Sequence, residues 1–124
     1  MSHVNTAIGD LGFDRTLYHL VQLRASQING CGYCVKLHTR EAREDSETSD
    51  RLDRLIVWRH VDDFTPAERA ALAWTEALTV IEQTTDFGSL RAELRVHFSE
   101  TDIGLLTATI AQINLWNRIQ ASAH

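Results

Sequence analysis

The sequence predicts an all-α fold of about six or seven helices. Apolar residues recur at helical spacing along nearly all of the 124 residues, and no stretch alternates apolar and polar residues as a half-buried strand does. The single proline stands where a helix is expected to begin. With 44% hydrophobic and 23% charged residues, the composition is that of a folded globular protein, and the length predicts one domain over residues 1–124.

The first three predicted helices follow from apolar spacing and from their stop and start residues. Apolar residues at positions 4, 7, 8 and 11 predict a short first helix that ends at Gly12. Asp14 is the expected N-cap of the second helix, which should end at the turn Asn29-Gly30. The third helix should begin at or near Cys31, directly after that turn.

The next two predicted helices differ in how clearly they are marked. A fourth helix ending near His60 would bury Leu52, Leu55, Ile56 and Trp58. Thr65-Pro66-Ala67-Glu68 then combines a hydroxyl N-cap, proline at the first helical position and glutamate three residues after the cap, which is a capping box. This fifth helix is expected to run through Ile81.

Two further helices complete the predicted fold. Ser89 is the expected cap of a short sixth helix, and Ser99-Glu100-Thr101-Asp102 matches the capping pattern again before the last helix. The last helix carries an apolar stripe that Leu105, Leu115 and Ile119 widen beyond what one core contact requires. Such width predicts a subunit interface, and therefore a homo-oligomer.

Charge and hydropathy exclude several classes of function. The net charge of −5, with no basic block, argues against nucleic acid as a partner. The longest apolar run is far shorter than the roughly 18 residues that a membrane helix requires, so no membrane partner is predicted. The first residues lack the basic and apolar regions of a secretory signal, which leads us to expect a cytoplasmic protein.

The most informative pattern is Cys31-Gly32-Tyr33-Cys34 followed by His38. At helical spacing the two thiols and the imidazole share one face of the third helix. The same predicted buried stripe comprises Cys31, Cys34, Val35, His38 and Ala42. A thiol reacts as the thiolate, which both a helix N-terminus and a neighbouring base favour.

The spacing also assigns separate roles to the two cysteines. His38 follows Cys34 by one helical turn and Cys31 by two, so Cys34 is the expected base-activated thiol. Cys31, expected to be the more exposed of the two, is placed to close a disulfide with an oxidised Cys34. An external dithiol or disulfide reductase would then reduce that bond. We predict no cofactor and no resident metal.

Other interpretations of these residues stay open. Buried cysteines can serve as small hydrophobic residues, with His38 as a hydrogen-bonded core histidine. Alternatively, Cys31, Cys34 and His38 could bind zinc with His19 as a fourth ligand. His19 could also do no more than fill a partly polar gap between Leu17 and Leu20. Covalent haem attachment is excluded because Val35 follows Cys34 where that motif requires histidine.

Several stretches resemble the carboxymuconolactone decarboxylase superfamily, in its alkylhydroperoxidase D-like (AhpD-like) branch. The Cys-x-x-Cys-x-x-x-His pattern and its lead-in, Arg24-Ala25-Ser26-Gln27-Ile28-Asn29-Gly30, are similar to the motif of that branch. Further similarity lies in Trp58-Arg59, in residues 68–79 and in residues 113–118. Together these stretches cover nearly the whole chain from about residue 12.

The resemblance implies an all-helical protein that assembles into trimers or hexamers and reduces a small-molecule peroxide. It implies that Cys34 reacts with the peroxide, that Cys31 resolves the product and that His38 joins a proton relay. The family's relay glutamate is replaced here by His19, and Tyr33 replaces a histidine between the cysteines. There are two alternatives to a peroxidase. One is an enzyme that decarboxylates a lactone, and the other is a non-enzymatic module that senses redox state or binds zinc.

Overall fold

A computed structural model describes residues 14–124, so the helix predicted at positions 4–11 lies outside the described residues. The described part contains six α-helices and one 3₁₀ helix. The α-helices are α1 (Arg15–Ile28), α2 (Gly32–Glu44), α3 (Ser49–Arg54), α4 (Pro66–Thr79), α5 (Phe87–His97) and α6 (Glu100–Ala123), and the 3₁₀ helix, Leu55–His60, follows α3 directly. Residues 14–124 form no strand, which confirms the predicted all-α class.

The predicted caps explain where three of these helices begin. The Asp14 carboxylate accepts a hydrogen bond from the backbone N–H of Thr16 at 2.9 Å, ahead of α1. Thr65 and Glu68 form the complete capping box at α4. Ser99 accepts from the backbone N–H of Asp102 at the start of α6. Each contact satisfies a helix N–H that has no partner within its own helix.

The predicted fourth helix is wrong as a continuous element. It is divided at Leu55, and Val57 has non-helical dihedral angles, so the chain continues as a 3₁₀ helix. Ile56, a predicted core residue, is 61% exposed as a result. The tighter 3₁₀ geometry places residues three apart in line, which buries Leu55 and Trp58 together but turns Ile56 outward.

Two helix ends also differ from the prediction. α4 ends at Thr79, and Ile81 beyond it is 72% exposed. α5 begins at Phe87 because Asp86, three residues before the predicted cap Ser89, accepts the Ser89 backbone N–H. An aspartate and a serine are both good caps, and spacing alone did not distinguish them.

α1 lies at the centre of the fold and packs against α2, α4 and α6. Its apolar residues contribute to two buried clusters. One contains Leu17, Val21, Ala70, Ala71, Trp74, Leu94, Ile103, Leu106 and Ile110, and the other contains Leu20, Leu23, Ala42, Leu52, Leu55, Trp58, Phe64 and Leu72. α1 therefore fixes the position of α2, which carries the cysteine pair.

None of the helices in residues 14–124 combines the length and the apolar content that crossing a bilayer requires.

Candidate active site

Cys31 and Cys34 form a disulfide at the N-terminus of α2. Gly30 has a φ of 66°, in the left-handed region that glycine adopts without strain, and this lets the chain turn from α1 into α2. Cys31 is the N-cap, and its sulfur accepts a hydrogen bond from the Cys34 backbone N–H at 3.3 Å. The two Cα atoms lie 5.2 Å apart, within the usual range for a disulfide.

Cys31, which was expected to be the more exposed cysteine, is buried almost as completely as Cys34. Cys31 is 1% exposed and Cys34 is fully buried. The N-cap position explains this, because the Cys31 side chain folds back over the first turn of α2 to reach the Cys34 N–H. Neither sulfur atom of the disulfide form is therefore open to solvent.

His38 is buried on the same face of α2 as Cys34. Its Nδ1 atom lies 3.0 Å from Oε1 of Glu41, whereas its Nε2 atom is buried without a hydrogen-bond partner. Burial lowers the pKa of His38, although the Glu41 carboxylate partly opposes this, and the charge of His19 lowers that pKa further. In the disulfide form the imidazole forms no hydrogen bond with either sulfur atom.

His19 is buried on α1 and contacts Asp45, the residue at the C-terminal end of α2. Its Nε2 atom lies 2.5 Å from Oδ2 of Asp45, and its Nδ1 atom is buried without a partner. Arg15 donates to the same carboxylate oxygen at 2.8 and 3.1 Å. The hydrogen bond from His19 is the largest cause that lowers the pKa of Asp45, and the hydrogen bonds from Arg15 lower it further.

Backbone hydrogen bonds fix the chain around Asp45. The Asp45 N–H donates to the carbonyl of Glu41 at 3.1 Å and to that of Ala42 at 3.2 Å. Ser46 then adopts a φ of 72°, and the Glu47 N–H returns to the Ala42 carbonyl at 2.9 Å. This left-handed helix end closes the last turn of α2 and positions the Asp45 carboxylate beside α1.

α1 and α2 thus carry two carboxylate–imidazole pairs, His38–Glu41 and His19–Asp45, and sequence reasoning identified neither carboxylate. Glu41 follows His38 by three residues on one helix, so the spacing of adjacent turns could have indicated it. Asp45 and His19 are 26 residues apart and meet only because α1 packs against α2. No pattern in the sequence signals that contact.

A buried amide network supports the turn that leads into Cys31. Nδ2 of Asn29 donates to Oδ1 of both Asn114 and Asn117 at 2.9 Å, and Nδ2 of Asn117 donates to Oγ of Ser26 at 2.9 Å. The Cys31 N–H donates to the Ser26 carbonyl at 3.1 Å. α6 is therefore connected through two asparagines to the backbone of the cysteine pair.

Tyr33, between the two cysteines, is exposed and stacks on His124 at 4.5 Å between ring centroids.

Among residues 14–124, no group of three or more His, Cys, Asp or Glu side chains is placed to hold a metal ion.

Comparisons with known proteins identify a family and two curated relatives. The sequence profile of the Carboxymuconolactone decarboxylase family matches residues 1–77. The uncharacterized protein YdfG of Bacillus subtilis is 39% identical over 106 residues, which are 86% of this chain and 72% of that protein. The uncharacterized protein YnjA of Escherichia coli is 33% identical over 109 residues, 88% of this chain but only 59% of that protein.

Two solved structures have the same architecture. A protein of unknown function from Agrobacterium tumefaciens, provisionally named as antioxidant defence protein AhpD, superposes with a TM-score of 0.88 at 38% identity, over 95% of this chain and 81% of that one. An uncharacterized peroxidase-related protein from Silicibacter superposes with a TM-score of 0.78 at 23% identity, over 90% of this chain and 58% of that one, and supports the fold alone.

Proposed function

Because the chain belongs to the carboxymuconolactone decarboxylase family, in its AhpD-like branch, we propose that it is a thiol-dependent peroxidase with Cys34 as the peroxide-reactive residue. A small organic hydroperoxide is the proposed substrate, and an external dithiol or disulfide reductase is the proposed electron donor.

One observation carries this proposal: Cys31 and Cys34 close a disulfide on the buried face of α2 that also holds His38. The Nδ1 atom of His38 faces Glu41, so the tautomer that donates its proton there leaves Nε2 as an acceptor. In the reduced protein, this acceptor would take the proton from Cys34 and leave a thiolate, the reactive form of cysteine.

The first reaction step consumes the peroxide. The Cys34 thiolate attacks the outer oxygen of R–O–O–H, an S–O bond forms and the O–O bond breaks. Cys34 becomes a sulfenic acid, oxidised by two electrons, and the leaving alkoxide takes a proton and departs as the alcohol. The protonated His38 is the proposed source of that proton.

The second and third steps restore the dithiol. Cys31 attacks the Cys34 sulfur, the S–S bond forms, and the hydroxyl group leaves as water with the proton that Cys31 gives up. The external dithiol then supplies two electrons and two protons, becomes a disulfide itself and regenerates both thiols. Since both sulfurs are buried, this exchange requires a local opening at the turn before α2.

Association into a homo-oligomer, a trimer or a hexamer, is part of the same proposal. Leu115 and Ile119 on α6 are 51% and 45% exposed in the isolated chain. They are two of the three residues that widen the predicted apolar stripe, the third being Leu105, which packs against the core, and an interface would remove them from water. A single domain over residues 1–124 and a cytoplasmic location remain predictions.

The proposal is tested with cumene hydroperoxide and dithiothreitol, comparing wild type, Cys34→Ser and Cys31→Ser. We expect Cys34→Ser to lose peroxide consumption. Cys31→Ser should react once and accumulate a sulfenic acid at position 34, which dimedone traps and mass spectrometry locates. Both replacements keep a small polar side chain, so they serve as matched controls for each other.

If Cys34→Ser consumed peroxide at the wild-type rate, the assignment of Cys34 would be refuted. A sulfenic acid trapped at Cys31 in the Cys34→Ser variant would reverse the two roles. If instead the protein converted a lactone, and alkylation of both reduced cysteines did not change that rate, the decarboxylase alternative would be favoured.

A further inference from the structure

Three residues of α2 lie along one stripe of the helix: Cys34, His38 and Glu41. His38 follows Cys34 by four positions and Glu41 follows His38 by three, and residues at these separations are neighbours on a helix surface, with Cβ atoms about 5–6 Å apart. Oε1 of Glu41 lies 3.0 Å from Nδ1 of His38. The stripe therefore runs from a buried sulfur, through a buried imidazole, to a carboxylate.

The contact with Glu41 also orients the His38 ring. The two nitrogens lie on opposite sides of an imidazole, so the contact at Nδ1 directs Nε2 away from the carboxylate. Helical side chains lean toward the N-terminal turn, which for His38 is the turn that carries Cys34. In the disulfide form Nε2 is buried without a partner, although buried polar atoms are nearly always paired in folded proteins. The thiol of the reduced protein is the partner that explains this acceptor.

Burial alone makes His38 a weak base. The His38 side chain is 6% exposed, and burial lowers its pKa because it disfavours the charged imidazolium. Two charged groups act on the ring besides burial: Glu41, on the same helix, raises this pKa, and His19, on α1, lowers it. A ring without the Glu41 contact would therefore hold an additional proton less well.

The neighbouring helices bring other titratable groups to α2. From α1, Tyr18 senses the charge of Glu41, which adds to burial in raising the pKa of Tyr18. From α6, His124 stacks on Tyr33 at the first turn of α2, and not on His38. Among the groups that shift the pKa of His38, Glu41 is thus the one that favours the protonated ring.

We propose that Glu41 is a positioning residue of the thiol site, whose carboxylate holds the His38 ring by Nδ1 and stabilises the imidazolium that forms when Nε2 takes the proton of Cys34. The inference rests on the function proposed above, which makes Nε2 the proton acceptor. It assigns to Glu41 the charge that allows the ring to keep that proton, and it does not depend on peroxide as the substrate.

One proton moves in this step and no electron is transferred. In the reduced protein the S–H bond of Cys34 breaks, an N–H bond forms at Nε2 of His38, and the products are a thiolate and an imidazolium. Glu41 attracts the imidazolium at 3.0 Å, whereas seven residues of helix, a rise of about 10 Å, separate Glu41 from the thiolate that it repels. Because Coulomb energy falls with distance, the attraction is about three times the repulsion, and Glu41 favours the ion pair.

The test measures the Cys34 thiolate in a Cys31→Ser background, which leaves one thiol in the chain. Serine is a good N-cap, so the start of α2 is retained. The rate of alkylation of the full chain by iodoacetamide is recorded from about pH 6 to pH 10, since the thiolate is the reactive form. Glu41→Gln, which removes the charge and keeps the size of the side chain, is compared with this background.

Glu44→Gln is the matched control. It removes the same charge from the same helix, but the Glu44 side chain is 69% exposed and its ion pair with Arg40 is long, at 4.0 Å. A general effect of charge on α2 would appear in both variants, whereas an effect through His38 would appear only in Glu41→Gln.

We expect Glu41→Gln to be alkylated about ten-fold more slowly than its background at about pH 7. An adjacent opposite charge favours the ionised form of a group by about ten-fold or more, and Glu41, at 42% exposure, belongs at the low end of that range. At about pH 10 the two rates should be equal, because the thiol then ionises without the imidazole. Glu44→Gln should match the background at both pH values.

Three results would overturn the inference. The first is an unchanged rate for Glu41→Gln at about pH 7. The second is equal slowing of Glu41→Gln at about pH 7 and pH 10, because a structural change that limits access to Cys34 acts at every pH. The third is a loss in Glu44→Gln as large as that in Glu41→Gln.

Failure of the peroxidase proposal is distinguishable from failure of this one, because alkylation involves no peroxide. If wild type consumes no hydroperoxide but Glu41→Gln slows alkylation only near neutral pH, the peroxidase function falls and the role of Glu41 stands. If wild type consumes hydroperoxide and Glu41→Gln leaves alkylation unchanged, the opposite holds.

Discussion

Replacing Asn117 with alanine should destabilise the protein through the amide network behind the cysteine turn. Asn117 is fully buried and makes two side-chain hydrogen bonds, one from Asn29 and one to Ser26. Each contributes about 1 kcal/mol net, and the space left by the carboxamide adds a further cost. Asn29 keeps its bond to Asn114, which limits the loss. We therefore expect a decrease of about 2–3 kcal/mol in the free energy of unfolding.

Thermal unfolding of the oxidised protein, at one fixed concentration, measures this effect. An unfolding entropy of about 2.1 cal/mol/K per residue makes each kcal/mol correspond to about 4 °C in Tm for a chain of this length. Asn117→Ala should therefore lower Tm by about 8–12 °C. Lys36→Ala is the control, because this exposed side chain on α2 takes no part in the amide network and should change stability by no more than about 0.5 kcal/mol.

Equal stability losses in Asn117→Ala and Lys36→Ala would refute the reasoning. Hydrogen exchange gives a second, local measurement. Because Asn117 bonds to Oγ of Ser26, the residue whose carbonyl accepts the Cys31 N–H, exchange at Cys31 should accelerate more than exchange in α5.

Two other predictions concern the pH dependence of stability and the assembly state. Burial lowers the pKa of His38 in the folded protein, so below about pH 6.5 the unfolded chain binds a proton at His38 more readily than the folded chain does. The free energy of unfolding of the oxidised protein should therefore decrease as pH falls through about 6.5. His38→Gln should weaken that dependence in urea unfolding between about pH 7.5 and 5.5, and an identical slope in both proteins would contradict the prediction. Leu115→Glu combined with Ile119→Glu should reduce the sedimenting mass to that of a monomer, whereas Val96→Glu on α5, also at an exposed apolar position, should not. An unchanged mass for the double variant would exclude this face of α6 as the interface.

Local sequence signals predicted the fold well where one side chain determines a helix end. Asp14, Thr65 and Ser99 cap the helices that they were predicted to cap, because a cap forms its hydrogen bond within three residues of its own position. The prediction was wrong at Ile56 and Ile81, where helical spacing continues but the backbone does not. At these places the local geometry departs from the α-helix, and apolar periodicity does not report that change.

The candidate site was predictable in part for the same reason. Cys34 and His38 share a helix, so their common face follows from spacing alone. Spacing also places Cys31 on the buried stripe, but it does not indicate that the Cys31 sulfur accepts a backbone N–H as the N-cap of α2. The Asp45–His19 contact depends on how α1 and α2 pack, and no property of either residue on its own indicates it.

The short separation of Cys31 and Cys34 decides what oxidation does to the rest of the molecule. The two cysteines are three positions apart in the sequence, so the disulfide closes a very small ring. In the chain-entropy description, so small a ring restricts the unfolded state by about 2 kcal/mol, compared with about 4.7 kcal/mol for a ring of 100 residues. The bond can therefore be made and broken repeatedly while the helical scaffold keeps most of its stability, as the proposed dithiol–disulfide cycle requires.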